Sequence, residues 1–221
     1  MCFSATASFV AGGALSTVGV ATLKKVKVKT DIPYASITLF FGLQQLAEGV
    51  IWLSLMYQAA ALNIFMTYVY VMFAYVLWPT LIPASVFLLE TVRWRRKVLR
   101  AFFAVGAAIS LYLIYILAAF PVSSQIGNNH IVYAVHQIPI PWIIGVIFYV
   151  AVTCISALFS SHRLVNLFGA LVLVSLIGTL IFYTQARVSV WCFFAALVSI
   201  AIYFFIRGRT KSSKHLEVAA L

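Results

Sequence analysis

Acidic residues are scarce in this chain. It has four Asp and Glu against fifteen Lys and Arg among 221 residues, and charged residues of both signs make up only 9% of it. So little charge cannot coat a soluble surface, and with 64% hydrophobic residues and a mean hydropathy of +1.08 the composition excludes an ordinary soluble domain. Cysteine is nearly absent too: Cys2, Cys154 and Cys192 are too few for a disulfide framework and have no C-x-x-C spacing. There is no G-x-G-x-x-G, no P-loop and no C-x-x-C-H, so nucleotide and haem chemistry have no support. No linker long enough to separate two domains and no internal repeat interrupts the apolar pattern. The first apolar stretch has its lysines after it rather than before, unlike a cleavable signal peptide, and is expected to persist as a helix.

What fills the chain is a series of continuous apolar runs of about twenty residues, the length of a membrane-spanning helix and about twice that of a barrel strand. Seven spans are expected, near 4–23, 34–56, 62–89, 100–120, 139–159, 165–183 and 188–206. The expected fold is therefore all-α: a polytopic membrane helix bundle with one domain over 1–206 and a basic cytoplasmic tail over 207–221. The net charge of +11 does not point to nucleic acid, because fourteen of the fifteen basic residues fall on alternate connections and only Arg187 on the others. By the positive-inside rule this places the N-terminus outside and the C-terminus in the cytoplasm of a cell membrane. The basic connections are also suited to attracting anionic lipid headgroups. Ser4, Ser8, Gly12 and Ser16 recur every four residues in span one, a small-residue stripe expected to pack closely on a neighbouring helix. Trp78, Pro79 and Pro83 are expected to kink or break span three.

Glu48 is the one carboxylate inside a long apolar stretch, and a charge near the bilayer centre is costly unless paired or hydrated. Gln44 and Gln45 lie one turn before it and Trp52 one turn after, so one face of the helix carries all four. That face is expected to look inward. A rise of about 1.5 Å per residue puts Glu48 roughly 21 Å along its span, in the outer half of the membrane. Cys2 and Cys192 fall on the same side, and the polar 121–138 connection, with His130, Tyr133 and His136, hangs over it and is expected to lie on the membrane or fold back as a lid.

Four segments carry a resemblance: the opening Met-Cys-Phe-Ser, the Phe-Gly-Leu-Gln-Gln-Leu-Ala-Glu-Gly-Val-Ile-Trp block at 41–52, the Trp-Pro pair at 78–79, and Val-Ser-Val-Trp-Cys-Phe-Phe-Ala-Ala at 188–196. Together they resemble an uncharacterised family of small prokaryotic multi-pass membrane proteins. The resemblance extends to a His-x-x-Tyr element, His130 and Tyr133 here, with Ala134 where relatives often have an acid. It implies the architecture and the location of the site, and no activity.

Two readings of the site follow. In the first, Glu48 binds or transports a small ligand or proton in an outward-facing cavity lined by Gln44, Gln45, Trp52, Trp78 and Tyr133. In the second, zinc or copper held by Cys2, His130 and Cys192 activates water for a membrane hydrolase, with Glu48 and His130 as the catalytic pair. Cys2 and Cys192 are equally suited to a disulfide. Against these stands the bland role for Glu48, a neutral carboxyl bonded across helices to Ser, Gln or Tyr. Glu90 followed by Arg93 reads as a local ion pair of little value.

Overall fold

The structure is a computed structural model that describes residues 4–127, 130–135, 142–182 and 187–219. Its helices are α1 (Ala5–Leu23), α2 (Ile32–Met56), α3 (Ala60–Leu89), α4 (Arg93–Ala119), α5 (142–158), α6 (Arg163–Phe182), α7 (Arg187–Val198) and α8 (Ala201–Ala219). Among the described residues six helices are long and apolar enough to cross a membrane, α7 and the first half of α8 forming the last of them, Val188–Thr210. The segment expected as span five holds a shorter apolar helix, Ile144–Leu158. The fourth helix begins at Arg93, earlier than expected, so the basic run 93–100 is wound into its first turns. The boundary drawn at 206 falls inside α8, which runs on to Ala219.

The small residues of α1 pack as their spacing implies. A Cβ on Gly19 would lie 2.5 Å from the backbone nitrogen of Leu39, and one on Gly42 would lie 2.5 Å from Ser16 Oγ, so α1 and α2 touch nearly backbone to backbone. Ser4 caps α1, its Oγ accepting from the Ala7 amide at 3.3 Å.

The prolines of α3 do not break it. Pro79 and Pro83 have no N–H to give the carbonyls one turn back, and the helix absorbs the fault as a π-helical segment, Met72–Leu77, just before them. Two carbonyls of that segment bond outward instead: Ala74 accepts from the Tyr149 hydroxyl of α5, and Val76 accepts from Ser110 Oγ of α4 at 2.7 Å. α4 approaches the same region through Gly106, where a Cβ would lie only 1.9 Å from the Pro79 oxygen.

The 121–138 connection contains a feature that an all-α expectation omits. β1 (Val122–Gly127) and β2 (His130–Val135) form an antiparallel hairpin in which Ser124 faces Tyr133 and Ile126 faces Ile131. The β-branched run of β2 suits a half-buried strand, with Ile131 fully buried and Tyr133 and Val135 packed on the same core. Ser124 Oγ meets Thr67 Oγ1 at 2.8 Å and Asn63 Nδ2 at 2.9 Å, and Asn63 also donates to Ser54 Oγ at 3.1 Å. The hairpin is thereby fastened to α2 and α3. Positions 128–129 and 136–141 lie outside the described residues.

At the opposite end, Asp31 pairs with Arg209 Nε at 3.0 Å, and Thr210 Oγ1 donates to the Lys25 carbonyl at 2.9 Å. Glu90 differs from its expected pairing with Arg93. Its Oε1 accepts from the Thr91 and Val92 amides, both at 2.9 Å, and from Ser161 Oγ at 3.0 Å, while its Oε2 accepts from the Ser161 amide at 2.6 Å. The helix start beside it supplies amides that need acceptors, and a short carboxylate serves them better than it serves a long exposed arginine. Those bonds outweigh the effect of burial and hold the Glu90 pKa below its ordinary value.

Candidate functional site

The site begins on α2, which is buried along most of its length because α1, α3 and α7 all pack on it. Phe41 belongs to a core cluster toward the basic end, and Ile51 and Trp52 to a second cluster beneath the hairpin. Glu48 falls between them in sequence and is 0% exposed. Its Oε1 accepts from Ser189 Oγ of α7 at 2.5 Å and from the Tyr133 hydroxyl of β2 at 3.4 Å. A buried carboxylate is thus met by hydroxyls from two separate elements, one of them in the hairpin.

Aromatic packing positions these donors. The Tyr133 ring stacks on Tyr70 of α3 with centroids 4.4 Å apart and planes 5° from parallel, and Tyr70 is itself fully buried. One turn below, Gln44 Oε1 accepts from Trp78 Nε1 at 2.9 Å, and Trp78 stacks on Phe41 at 3.9 Å. Cys192 of α7 is buried beside Gln44, Tyr70 and Glu48. Helix α7 thus contributes Ser189 and Cys192, three residues apart, to one face turned toward α2.

Most of the residues expected at the site do converge: Glu48, Tyr133, Gln44, Trp78 and Cys192 form one contiguous set. Gln45 and Trp52 are buried in α2 as well. Among the described residues neither amide atom of Gln45, nor Trp52 Nε1, has a hydrogen-bond partner. Buried groups of this kind are ordinarily met by water or by a ligand. His130 sits at the start of β2, buried at 9% exposure, and desolvation lowers its pKa and favours the neutral ring. Cys2 lies outside the described residues, and among those described no group of three or more His, Cys, Asp or Glu is arranged to hold a metal ion.

The chain matches a family of unknown function, DUF6629, over residues 1–217. It belongs to that family. No curated protein and no solved structure matches it. The resemblance to an uncharacterised membrane family therefore holds over nearly the whole chain, and for this DUF6629 member the geometry carries the functional argument.

Sequence reasoning did not select Ser189 and Tyr70. Ser189 is one of many serines in apolar helices, and its partner is 141 positions away. Its place one turn before Cys192 on the same helix was the available signal. Tyr70 looks like any aromatic of a core until the hairpin supplies Tyr133 to stack on it.

Proposed function

We propose that this protein is a seven-span membrane protein, with its N-terminus outside and its C-terminus in the cytoplasm, that binds a small ligand at Glu48 from the outer side. The simplest such ligand is a proton. The observation that carries this reading is the pair of hydroxyls on Glu48 Oε1, because one of them, Tyr133, belongs to the extracytoplasmic hairpin. An ionised carboxylate accepts both as charge-assisted bonds; a protonated one carries its proton on one oxygen, still accepts on the other, and holds both hydroxyls more weakly because the charge is gone. The Tyr133 bond, at 3.4 Å, is the weaker and yields before the Ser189 bond at 2.5 Å. Proton or ligand capture at Glu48 therefore loosens the cover of the site, which makes the hairpin a gate for binding, sensing or passage. Among the described residues, the titratable groups that share this environment include Tyr70 of α3, Tyr149 of α5, Tyr133 and His130 of the hairpin, and Cys192 of α7.

Infrared difference spectroscopy between neutral and acidic pH, on protein in lipid nanodiscs, tests the reading. The expected result is a protonated-carboxyl carbonyl band on acidification that Glu48→Gln removes. Identical spectra for the two proteins would contradict it.

A further inference from the structure

Every acidic side chain that the structure describes is turned inward. Asp31, Glu48 and Glu90 are 4%, 0% and 2% exposed, and Asp31 and Glu90 are bonded to Arg209 and to backbone amides with Ser161. Among the described residues, the basic end of the molecule consequently presents positive charge with little acidic side chain to neutralise it. The densest part is on the first two turns of α4. There Arg93, Arg96, Lys97 and Arg100 follow an i, i+3, i+4, i+7 pattern that places them along one face, all four are exposed, and they line a single open groove. None of the four forms an ion pair with a carboxylate among the described residues.

Two of these side chains are held in place by an aromatic ring. The guanidinium groups of Arg96 and Arg100 lie over Phe87 of α3, with centroid distances of 5.0 Å and 5.7 Å. Neighbouring Trp94 is 56% exposed, with the Arg95 guanidinium 5.2 Å from its ring. From Ala101 onward α4 is apolar, so the basic groove lies where the helix enters the hydrocarbon, and an exposed tryptophan at that level is typical of the headgroup layer. Planar guanidinium groups presented in pairs match the oxygens of a phosphate.

The geometry points to a headgroup site for an anionic phospholipid in the groove formed by Arg93, Arg96, Lys97 and Arg100, with the lipid phosphate bound by Arg96 and Arg100 against Phe87 and the acyl chains running along α4. The site is separate from Glu48, and it stands or falls independently of the function proposed there.

The test is native mass spectrometry of the detergent-purified full chain with added phosphatidylglycerol, phosphatidylcholine or inorganic phosphate, on three proteins: wild type, Arg96→Gln/Arg100→Gln, and Lys27→Gln/Lys29→Gln. The last removes the same charge from a different exposed basic connection and controls for net charge. Wild type and the lysine variant should retain phosphatidylglycerol in preference to phosphatidylcholine, and the arginine variant should bind it roughly tenfold more weakly or worse. Equal loss in both variants would reduce the effect to overall charge and overturn the site. So would undiminished binding in the arginine variant. Inorganic phosphate competing as well as the lipid would overturn the lipid assignment in favour of a free anion. Matching thermal unfolding of the two variants guards against misfolding as the cause, and if the arginine variant unfolds early, Arg96→Lys/Arg100→Lys replaces it: that variant keeps the charge and is expected to lose the lipid preference with the bidentate contact.

Discussion

Glu90 and Glu48 occupy opposite ends of the molecule and solve the same problem, a carboxylate removed from water and compensated by donors. For Glu90 the donors are three backbone amides and a hydroxyl, which tie the α3–α4 turn to the start of α6 through Ser161. Glu90→Ala removes the acceptor of these half-exposed amides, which water can partly replace, and is expected to cost about 1 kcal/mol, the usual value of a lost helix cap. Equilibrium unfolding in a mixed-micelle titration measures it. Because the Glu90 pKa is lowered in the folded state, its contribution is complete above the ordinary glutamate value of 4.5 and is lost as the pH falls through the folded value, so the difference between wild type and variant should shrink in acid. Glu48 could be read from sequence because a lone acid in an apolar run is conspicuous. The role of Glu90 could not: an acid three residues before an arginine suggests an ion pair, and only the three-dimensional turn shows which amides lie closer. Ser189 was hidden for the opposite reason, since hydroxyls are common in membrane helices and long-range partners leave no local pattern.

At the level of elements, the apolar runs located the long helices to within a few residues, with the exceptions of α4 and α8, whose charged first and last turns do not look like a membrane span although they are helical. The hairpin escaped because its strands are six residues each and lie within a polar connection where a surface segment is the ordinary reading. The prolines of α3 signalled irregularity, yet its form depends on neighbours that donate to its carbonyls. Gly106 is the contact that permits this. Gly106→Ala would put a methyl group 1.9 Å from a backbone oxygen that cannot swing away, so α3 and α4 must part and stability should fall by about 1–3 kcal/mol. Gly13→Ala, where an added Cβ meets nothing within 4 Å, should be neutral or slightly stabilising, as alanine favours a helix over glycine. Thermal unfolding of the two variants side by side separates a packing effect from a general effect of substituting helical glycines.

For the whole molecule, the asymmetry of charge and the position of the site belong together. Positive side chains gather at one end, and the described acids are withdrawn into the fold, while the molecule's one acid within an apolar span lies nearer the other end, under a hairpin that reaches it through the Tyr133 hydroxyl. On the function proposed above, the protonation state of Glu48 governs how firmly that hairpin is held. His130 also loosens the hairpin in acid, since its lowered pKa means that docking weakens as the pH falls below the ordinary imidazole value of 6.5. The decisive measurement is therefore hydrogen exchange of residues 130–135 across pH in a His130→Gln background, with Glu48 present or replaced by Gln, after correction for the intrinsic pH dependence of exchange. With Glu48 in place, protection of the strand should drop several-fold on acidification, and in Glu48→Gln it should stay flat. Equal protection profiles for the two proteins would contradict the account.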